Sequence, residues 1–479
     1  MIHVGFPDTW GDLKPALQHT LIADVILGNV FEPLARLTSR GTLRPAAARS
    51  WAVSDDRRIF TFKIDVTRCF SDGTPLSAHH FKTAWEHGLA LTPRSANSSL
   101  ADVLYKVVGS EAFEETHTLS GVRALNAETL QVEFKTPFRM ALEHLAGIRY
   151  SAVLIKDGKD LGTGPYRFLT HSENSVELER NPYAPIQAPF SLASIVKIPL
   201  TEGAKALEEG TIDAYHDFGR SLEPICQEEG RIACFTGLES GHDTLRINGL
   251  PGRLFSDPKM RLALQSLLYQ NEFSALKRIR KNSPSFRSDP QSFLPLQAGR
   301  LSDSEIAMLS AQGDAFIPDL LAASAKKPIT VLTSQSPILI EVLKDLGLHL
   351  SERSGLITFK EQLGIYYKTH DVDVLFGTPS VASGDPDGIY HVLGKEGAIS
   401  SPMIQRPGVM DLLEEGRKIL NLEDLPAHYQ KVSRAILTEV PYIHVGFRIA
   451  QIAYRSDRVR LNEAVKGRDD DDIILYEPL

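Results

Sequence analysis

Paired histidines, a run of acids, a glycine-rich turn and three cysteines are the places where this chain could do chemistry, and their spacing decides each case. His79 and His80 are adjacent. On a helix neighbouring side chains point in different directions, so two imidazoles cannot converge on one metal, and surface or packing roles are expected. The acids Asp469 to Asp472 are consecutive. Calcium loops alternate their ligands along the chain, so a solvated turn is expected here. Gly162-Thr163-Gly164-Pro165 lacks the register of a phosphate-binding loop, and Pro165 with Tyr166-Arg167-Phe168 makes it a turn into a strand. No P-loop, no G-x-S-x-G elbow and no H-E-x-x-H helix occurs. Cys69, Cys226 and Cys234 are too few for a disulfide framework and have no metal-ligand spacing. Cys226 and Cys234 could pair in an exported protein; the alternative is a set of buried, small apolar residues. The expectation is a protein without catalysis, metal or cofactor.

The elements that would position a binding site are of mixed type. The chain has 479 residues, enough for two to four domains at roughly 100–200 residues each. Its 42% hydrophobic and 23% charged residues exclude a disordered or fibrous chain. A net charge of −8 over this length gives no electrostatic case for nucleic acid. No segment approaches the roughly 18 apolar residues of a membrane span. Met1 runs straight into Ile2-His3-Val4-Gly5-Phe6, a strand pattern without the basic and apolar regions of an export signal. A cytosolic protein and an exported one whose signal is not part of this sequence both remain open. Phe60, Phe62, Ile64 and Val66 alternate with polar residues, as do Leu130, Val132 and Phe134, which predicts half-buried strands. Helical spacing begins behind Ser77 (Phe81, Ala84, Trp85, Leu89), behind Asp257-Pro258 (Met260, Ala263, Leu264, Leu267) and behind Ser336-Pro337. A late helix carries Tyr429, Val432 and Ile436 and ends before Pro441. Residues 281–300 read as a long polar loop. The pentapeptide Ile-His-Val-Gly-Phe occurs at positions 2–6 and again at 443–447, with divergent flanks that argue for coincidence between two strands.

Several of these local signals stand in a meaningful order. Asn29-Val30-Phe31-Glu32-Pro33-Leu34 is followed by Leu43-Arg44-Pro45, Ala48-Arg49-Ser50-Trp51 and Ser54-Asp55-Asp56. Phe60-Thr61-Phe62-Lys63-Ile64 and Phe70-Ser71-Asp72-Gly73-Thr74-Pro75 come next. Gly162-Thr163-Gly164-Pro165-Tyr166, Gly210-Thr211-Ile212-Asp213, Leu245-Arg246-Ile247-Asn248, Asp257-Pro258-Lys259-Met260-Arg261 and Val440-Pro441-Tyr442-Ile443 complete the series. In this order the chain resembles the family 5 extracellular solute-binding proteins, the oligopeptide- and dipeptide-binding components of ABC importers. The resemblance implies an α/β, two-lobed periplasmic-binding-protein-like fold with an extra domain inserted in the first lobe. Residues 1–30, 160–245 and 445–479 would form lobe I, 31–159 the inserted domain and 246–444 lobe II, with crossovers near 245–248 and 443–447. It further implies a peptide or peptide-like ligand held in an interlobe cleft, ABC permease transmembrane subunits as partners, a monomer, and a periplasmic or cell-surface location. A cytosolic sensor reusing the fold, a receptor for a non-peptide ligand and, more distantly, a hydrolase are the competing readings.

Three stretches of the family's cleft carry across. The loop after Leu13-Lys14-Pro15 holds Gln18, His19, Thr20 and Leu21. The second precedes Asp385-Pro386-Asp387, where peptide binders of the family read W-x-x-D-x-x-[DE]-P and the middle Asp meets the peptide's ammonium. Here Pro379 stands for the Trp and Ala382 for that Asp, with Ser380 between them. A basic residue that meets a ligand carboxylate in some members would fall at Tyr367, beside Lys368. Phe376, Tyr366, Tyr367 and Tyr390 are the aromatic candidates, with core burial as the plainer alternative. Asp385 or Asp387 could replace the missing carboxylate, or could simply cap a turn after Gly384. With Ala382 in that place, free-amine di- and tripeptides are expected to bind weakly.

Overall fold

Two buried strands carry the repeated pentapeptide: Ile2–Phe6 stands alone, and the second copy lies within the long strand Tyr442–Arg455. The computed structural model describes residues 1–18, 20–37, 42–92, 99–216, 230–279, 286–293, 297–332, 337–353, 372–377, 385–395, 397, 400–461 and 476–479. The chain divides into two compact units, Met1–Leu238 with Ala450–Leu479, and Glu239–Ile449. It passes from one to the other within two strands, Ile232–Ile247 and Tyr442–Arg455.

The first unit contains two large cores and a smaller cluster around Leu207 and Tyr215. One is built on a sheet in which Ile2–Phe6 lies parallel to Leu192–Lys197 and to Ala214–His216, with Ser175–Arg180 and Tyr166–His171 added antiparallel. Ile2, Val4, Phe6, Ile26, Leu27 and Ile195 fill it. The other core lies between Leu34 and Ala152. Its four-stranded antiparallel sheet contains the two alternating segments, now Ile59–Ile64 and Thr129–Glu133, paired at Phe60 with Val132 and Phe62 with Leu130. The helix Ala78–Leu91 covers that core with Phe81, Trp85 and Leu89. His80 has a definite task there: its Nδ1 accepts from the Ser77 backbone N–H at 3.0 Å, closing a capping box on the helix start.

The motifs that carry the family resemblance meet where these two cores join. Both Glu32 oxygens accept from Arg68 Nη1, at 2.6 and 2.7 Å, and Thr163 donates its hydroxyl to Glu32 Oε2 at 2.9 Å. The Ser71 N–H donates to the Gly162 carbonyl, and Gly164 and Tyr166 donate to the carbonyls of Val30 and Asn29. The chain segments run backbone against backbone: a Cβ on Gly162 would stand 2.0 Å from the Val30 oxygen. That contact explains the glycines without any phosphate.

In the second unit, Thr244 to Ile247 pair antiparallel with Val374–Gly377, and Ile329–Leu332 lies parallel to that strand and to Leu350–Arg353. The helix Pro258–Ile279 begins with proline at its first position. Arg261 ties it down, donating to the carbonyls of Phe255, Ser256 and Glu439, the last residue of the helix Leu425–Glu439. Val440 then takes a left-handed conformation (φ 47°) and Pro441 ends the helix, as the spacing predicts. One expectation needs correction. Residues 281–300 are not wholly a loop, because Phe286–Ser288 is a strand pairing antiparallel with Gly446 to Arg448. Serine and proline content hid it; backbone pairing with a long neighbour outweighed the weak local propensity.

Candidate functional site on the crossing strands

The residues singled out by sequence fall into three groups. Gln18, Thr20 and Leu21 lie together at the entry to the helix Leu21–Gly28. Thr20 caps that helix, accepting from the Ala23 N–H at 3.0 Å, and Gln18 donates to the Thr20 carbonyl and accepts from Arg149. Leu21 packs on the first core. In the second unit Phe376 is buried in the apolar core beside Leu245 and Val374. Asp385 caps the short turn that follows it, accepting from the Asp387 N–H at 2.8 Å. Asp387 is itself buried and held by Arg417 Nε at 3.0 and 3.3 Å and by the Tyr429 hydroxyl at 3.2 Å. Tyr390 lies under the Arg417 guanidinium at 3.4 Å and donates to Glu414. Burial works against the Arg417 charge, yet Asp387 outweighs it and raises the Arg417 pKa. His19, Tyr366, Tyr367, Lys368, Pro379, Ser380 and Ala382, with Cys226 and the acids Asp469 to Asp472, lie outside the described residues. Cys69 is a free thiol, whereas Cys234 is in a disulfide.

A denser polar assembly lies where the chain crosses between units, within the second unit. Leu245, Ile247, Ile443 and Val445 turn one side of the crossing strands to the apolar core. Strand alternation then places His242, Thr244 and Arg246 on the other side, with Tyr442 and His444 of the partner strand, whereas Arg448 of that strand reaches Asp243. All six are buried. His444 is the hub. Its Nδ1 lies 2.6 Å from the Asp289 carbonyl oxygen, its Nε2 lies 3.2 Å from His242 Nδ1, and its own carbonyl accepts from the Tyr269 hydroxyl at 2.8 Å. Arg448 pairs with Asp243 at 3.1 Å, and Arg300 and Arg287 flank Asp289 at 3.0 and 3.5 Å. Burial pushes the Tyr269 phenol well above its usual range and lowers both histidines, His242 further because His444 and Arg448 stand beside it. Sequence reading passed over His242, His444, Asp289 and Arg448. A signal was available for the strand residues: His242, Asp243, Arg246, His444 and Arg448 fall inside two segments otherwise patterned as buried strands, although Asp289 does not.

Among the described residues no group of three or more His, Cys, Asp or Glu side chains is placed to hold a metal, and no helix is long and apolar enough to cross a membrane. The assembly offers buried hydrogen-bonding groups of both polarities around apolar walls, the chemistry of recognition.

Residues 42–273 match the family described as bacterial extracellular solute-binding proteins, family 5 Middle. The dipeptide-binding protein DppE of Bacillus subtilis is 28% identical over 170 residues, 32% of this chain and 31% of that protein. The chain thus spans about a third of this curated relative. The fold is similar to that of the ABC transporter-associated periplasmic binding protein DppA from Helicobacter pylori in complex with peptide STSA. That likeness has a TM-score of 0.80 at 16% identity and covers 100% of this chain and 98% of the other. It is also similar to the periplasmic binding protein AgaA in complex with agropinic acid from A. tumefaciens R10. The TM-score there is 0.78 at 16% identity, with 100% and 98% coverage. Fold and match together define an α/β, periplasmic-binding-protein-like chain whose residues 42–273 are similar to the family 5 extracellular solute-binding proteins, a family of periplasmic or extracellular binding proteins.

Proposed function

We propose that this chain is the solute-binding component of an ABC importer. It captures a peptide or peptide-like small molecule between lobes I and II and delivers it to permease transmembrane subunits, without catalysis and as a monomer. The observation that carries the reading is the division into two units with only two strand crossings. Few crossings make a hinge inexpensive to bend, so ligand can draw the lobes together and the closed form can be what the permease recognises. The separate core between Leu34 and Ala152 supports an inserted domain near 31–159. The names of the relatives, a dipeptide-binding protein and a peptide-bound neighbour, support the peptide class. The disulfide at Cys234 favours an oxidising compartment, the periplasm or cell surface, over a cytosolic sensor.

A second reading of the ligand has its own support. Asp387 is committed to Arg417 and Tyr429, and Asp385 to a cap, while Ala382 occupies the family's ammonium-binding position. A blocked peptide or opine-like acid fits such a receptor better than a free amine, and one neighbour of the same fold is bound to agropinic acid. Small-angle scattering against a panel of tripeptides and their N-acetylated twins tests the receptor reading. A smaller radius of gyration at saturation is expected with at least one solute. If a bound solute leaves it unchanged, closure is wrong.

A further inference from the structure

The hydrogen bonds around His444 dictate which ring nitrogens carry protons. A carbonyl oxygen only accepts, so the bond to Asp289 requires the proton on His444 Nδ1 and leaves Nε2 as an acceptor in the neutral ring. His242 Nδ1 must then donate to it. In a neutral His242 the remaining nitrogen, Nε2, is a bare lone pair. That atom is buried, and among the described residues no donor reaches it. The ring's other neighbours are edge contacts with His444 at 5.2 Å and Phe447 at 4.9 Å, neither of which supplies a donor. A buried acceptor left unmet costs about 1–3 kcal/mol, and proteins seldom retain one without a use.

We infer that His242 Nε2 is a ligand contact, accepting a hydrogen bond from a neutral N–H or O–H of the solute, above all an amide. This rests on the receptor reading and deepens it. An ammonium would also donate, but Arg448, although paired with Asp243, acts on this ring against a positive charge, and a neutral donor avoids that cost. An amide N–H is such a neutral donor, and it is present in every peptide and acylated amino acid. The backbone makes room for the nearby guanidinium groups. A Cβ on Gly241 would lie 2.4 Å from Arg448 Nη2, and one on Gly377 would lie 2.8 Å from Arg246 Nε. The solute class is therefore a peptide or N-acylated amino-acid conjugate that offers a neutral amide N–H at this position.

The test is calorimetry with N-acetyl-trialanine and trialanine on the wild type, His242→Gln and His242→Leu. Glutamine keeps an acceptor near the position of Nε2, whereas leucine removes it. The acetylated probe should bind the wild type, lose about tenfold or more with leucine and stay within about threefold with glutamine. Nitrogen-15 spectra of labelled histidine supply a readout independent of folding: the His242 Nε2 resonance should move toward the hydrogen-bonded position at saturation. Unchanged affinity in His242→Leu, an unmoved resonance, or trialanine binding about a hundredfold tighter than its twin overturns the inference. A solute that closes the protein equally well in both variants sinks the role of His242 and keeps the receptor. If no solute of the panel binds, both fall.

Discussion

Two buried polar assemblies in this chain look alike in composition and differ in the kind of group left open, a donor beside a carboxylate in one and a lone acceptor in the other. At the joint in the first unit, the Glu32 carboxylate is held by Arg68 and Thr163 while neighbouring backbones interlock. On the crossing strands of the second unit, His444 is met on both nitrogens and His242 on one alone. The first arrangement has the pattern of a structural clamp. The second is organised as tightly but ends in an open acceptor. Arg68 Nε is also without a hydrogen bond but faces the Asp65 carboxylate at 3.4 Å, whereas His242 Nε2 is an acceptor with no donor, and that difference is what marks it as a candidate contact.

The comparison is broken most severely at Gly162. An alanine there would drive its Cβ into the Val30 carbonyl at 2.0 Å, backbone against backbone, with nothing flexible to yield. Gly162→Ala should cost more than about 3 kcal/mol, or prevent folding, in thermal or urea denaturation. A loss below about 1 kcal/mol would mean that the joint is loose. Next in size is Asp387→Ala, which strands the Arg417 guanidinium and should cost about 3–5 kcal/mol in urea. Affinity of the folded fraction should not change, and a loss of affinity without a loss of stability would make Asp387 a ligand contact instead.

Glu32→Gln sharpens the contrast. It should destabilise by about 1–3 kcal/mol with ligand affinity intact. His242→Leu should show the reverse weighting, affinity falling further than stability. The smallest effect is a pH dependence. Both crossing-strand histidines have pKa values below the ordinary 6.5, chiefly through burial, so the folded state resists protons that the unfolded chain accepts. Their contribution is complete above pH 6.5 and is lost as the pH falls below it toward their folded values. His242→Gln should flatten the loss of stability measured between neutral pH and pH 5. An unchanged slope would place the acid sensitivity elsewhere.

Much of this fold was legible locally. The strands around Phe60 and Leu130, the helix behind Ser77, the proline start at Pro258 and the stop at Pro441 each follow from a period or a cap that a short window contains. The motif order carried the family for the same reason. Its residues have tasks at the joint and the helix starts: Gly162 allows backbone approach, and Arg261 ties two helix ends. The strand Phe286–Ser288 was not legible, because three residues carry no period and its pairing partner lies far along the chain. The roles of His80 and Asp387 show the same divide. The capping box of His80 is local, yet histidine in place of glutamate hides it. The tie of Asp387 to Arg417 spans 30 positions.

The sequence by itself determined many of the elements, the resemblance to a family and the absence of a recognisable catalytic motif, since each is written in neighbouring residues or in their order. Tertiary structure alone decided which polar residues meet. Asp289, His444 and His242 are separated by up to 202 positions in sequence and stand within hydrogen-bonding distance only once the crossing strands pair. The protonation of each ring follows from the partner before it, beginning at a carbonyl that no window of sequence could single out. An acceptor becomes open or met only through the groups that folding brings to it, and that is why the strongest candidate contact was invisible until the chain was folded.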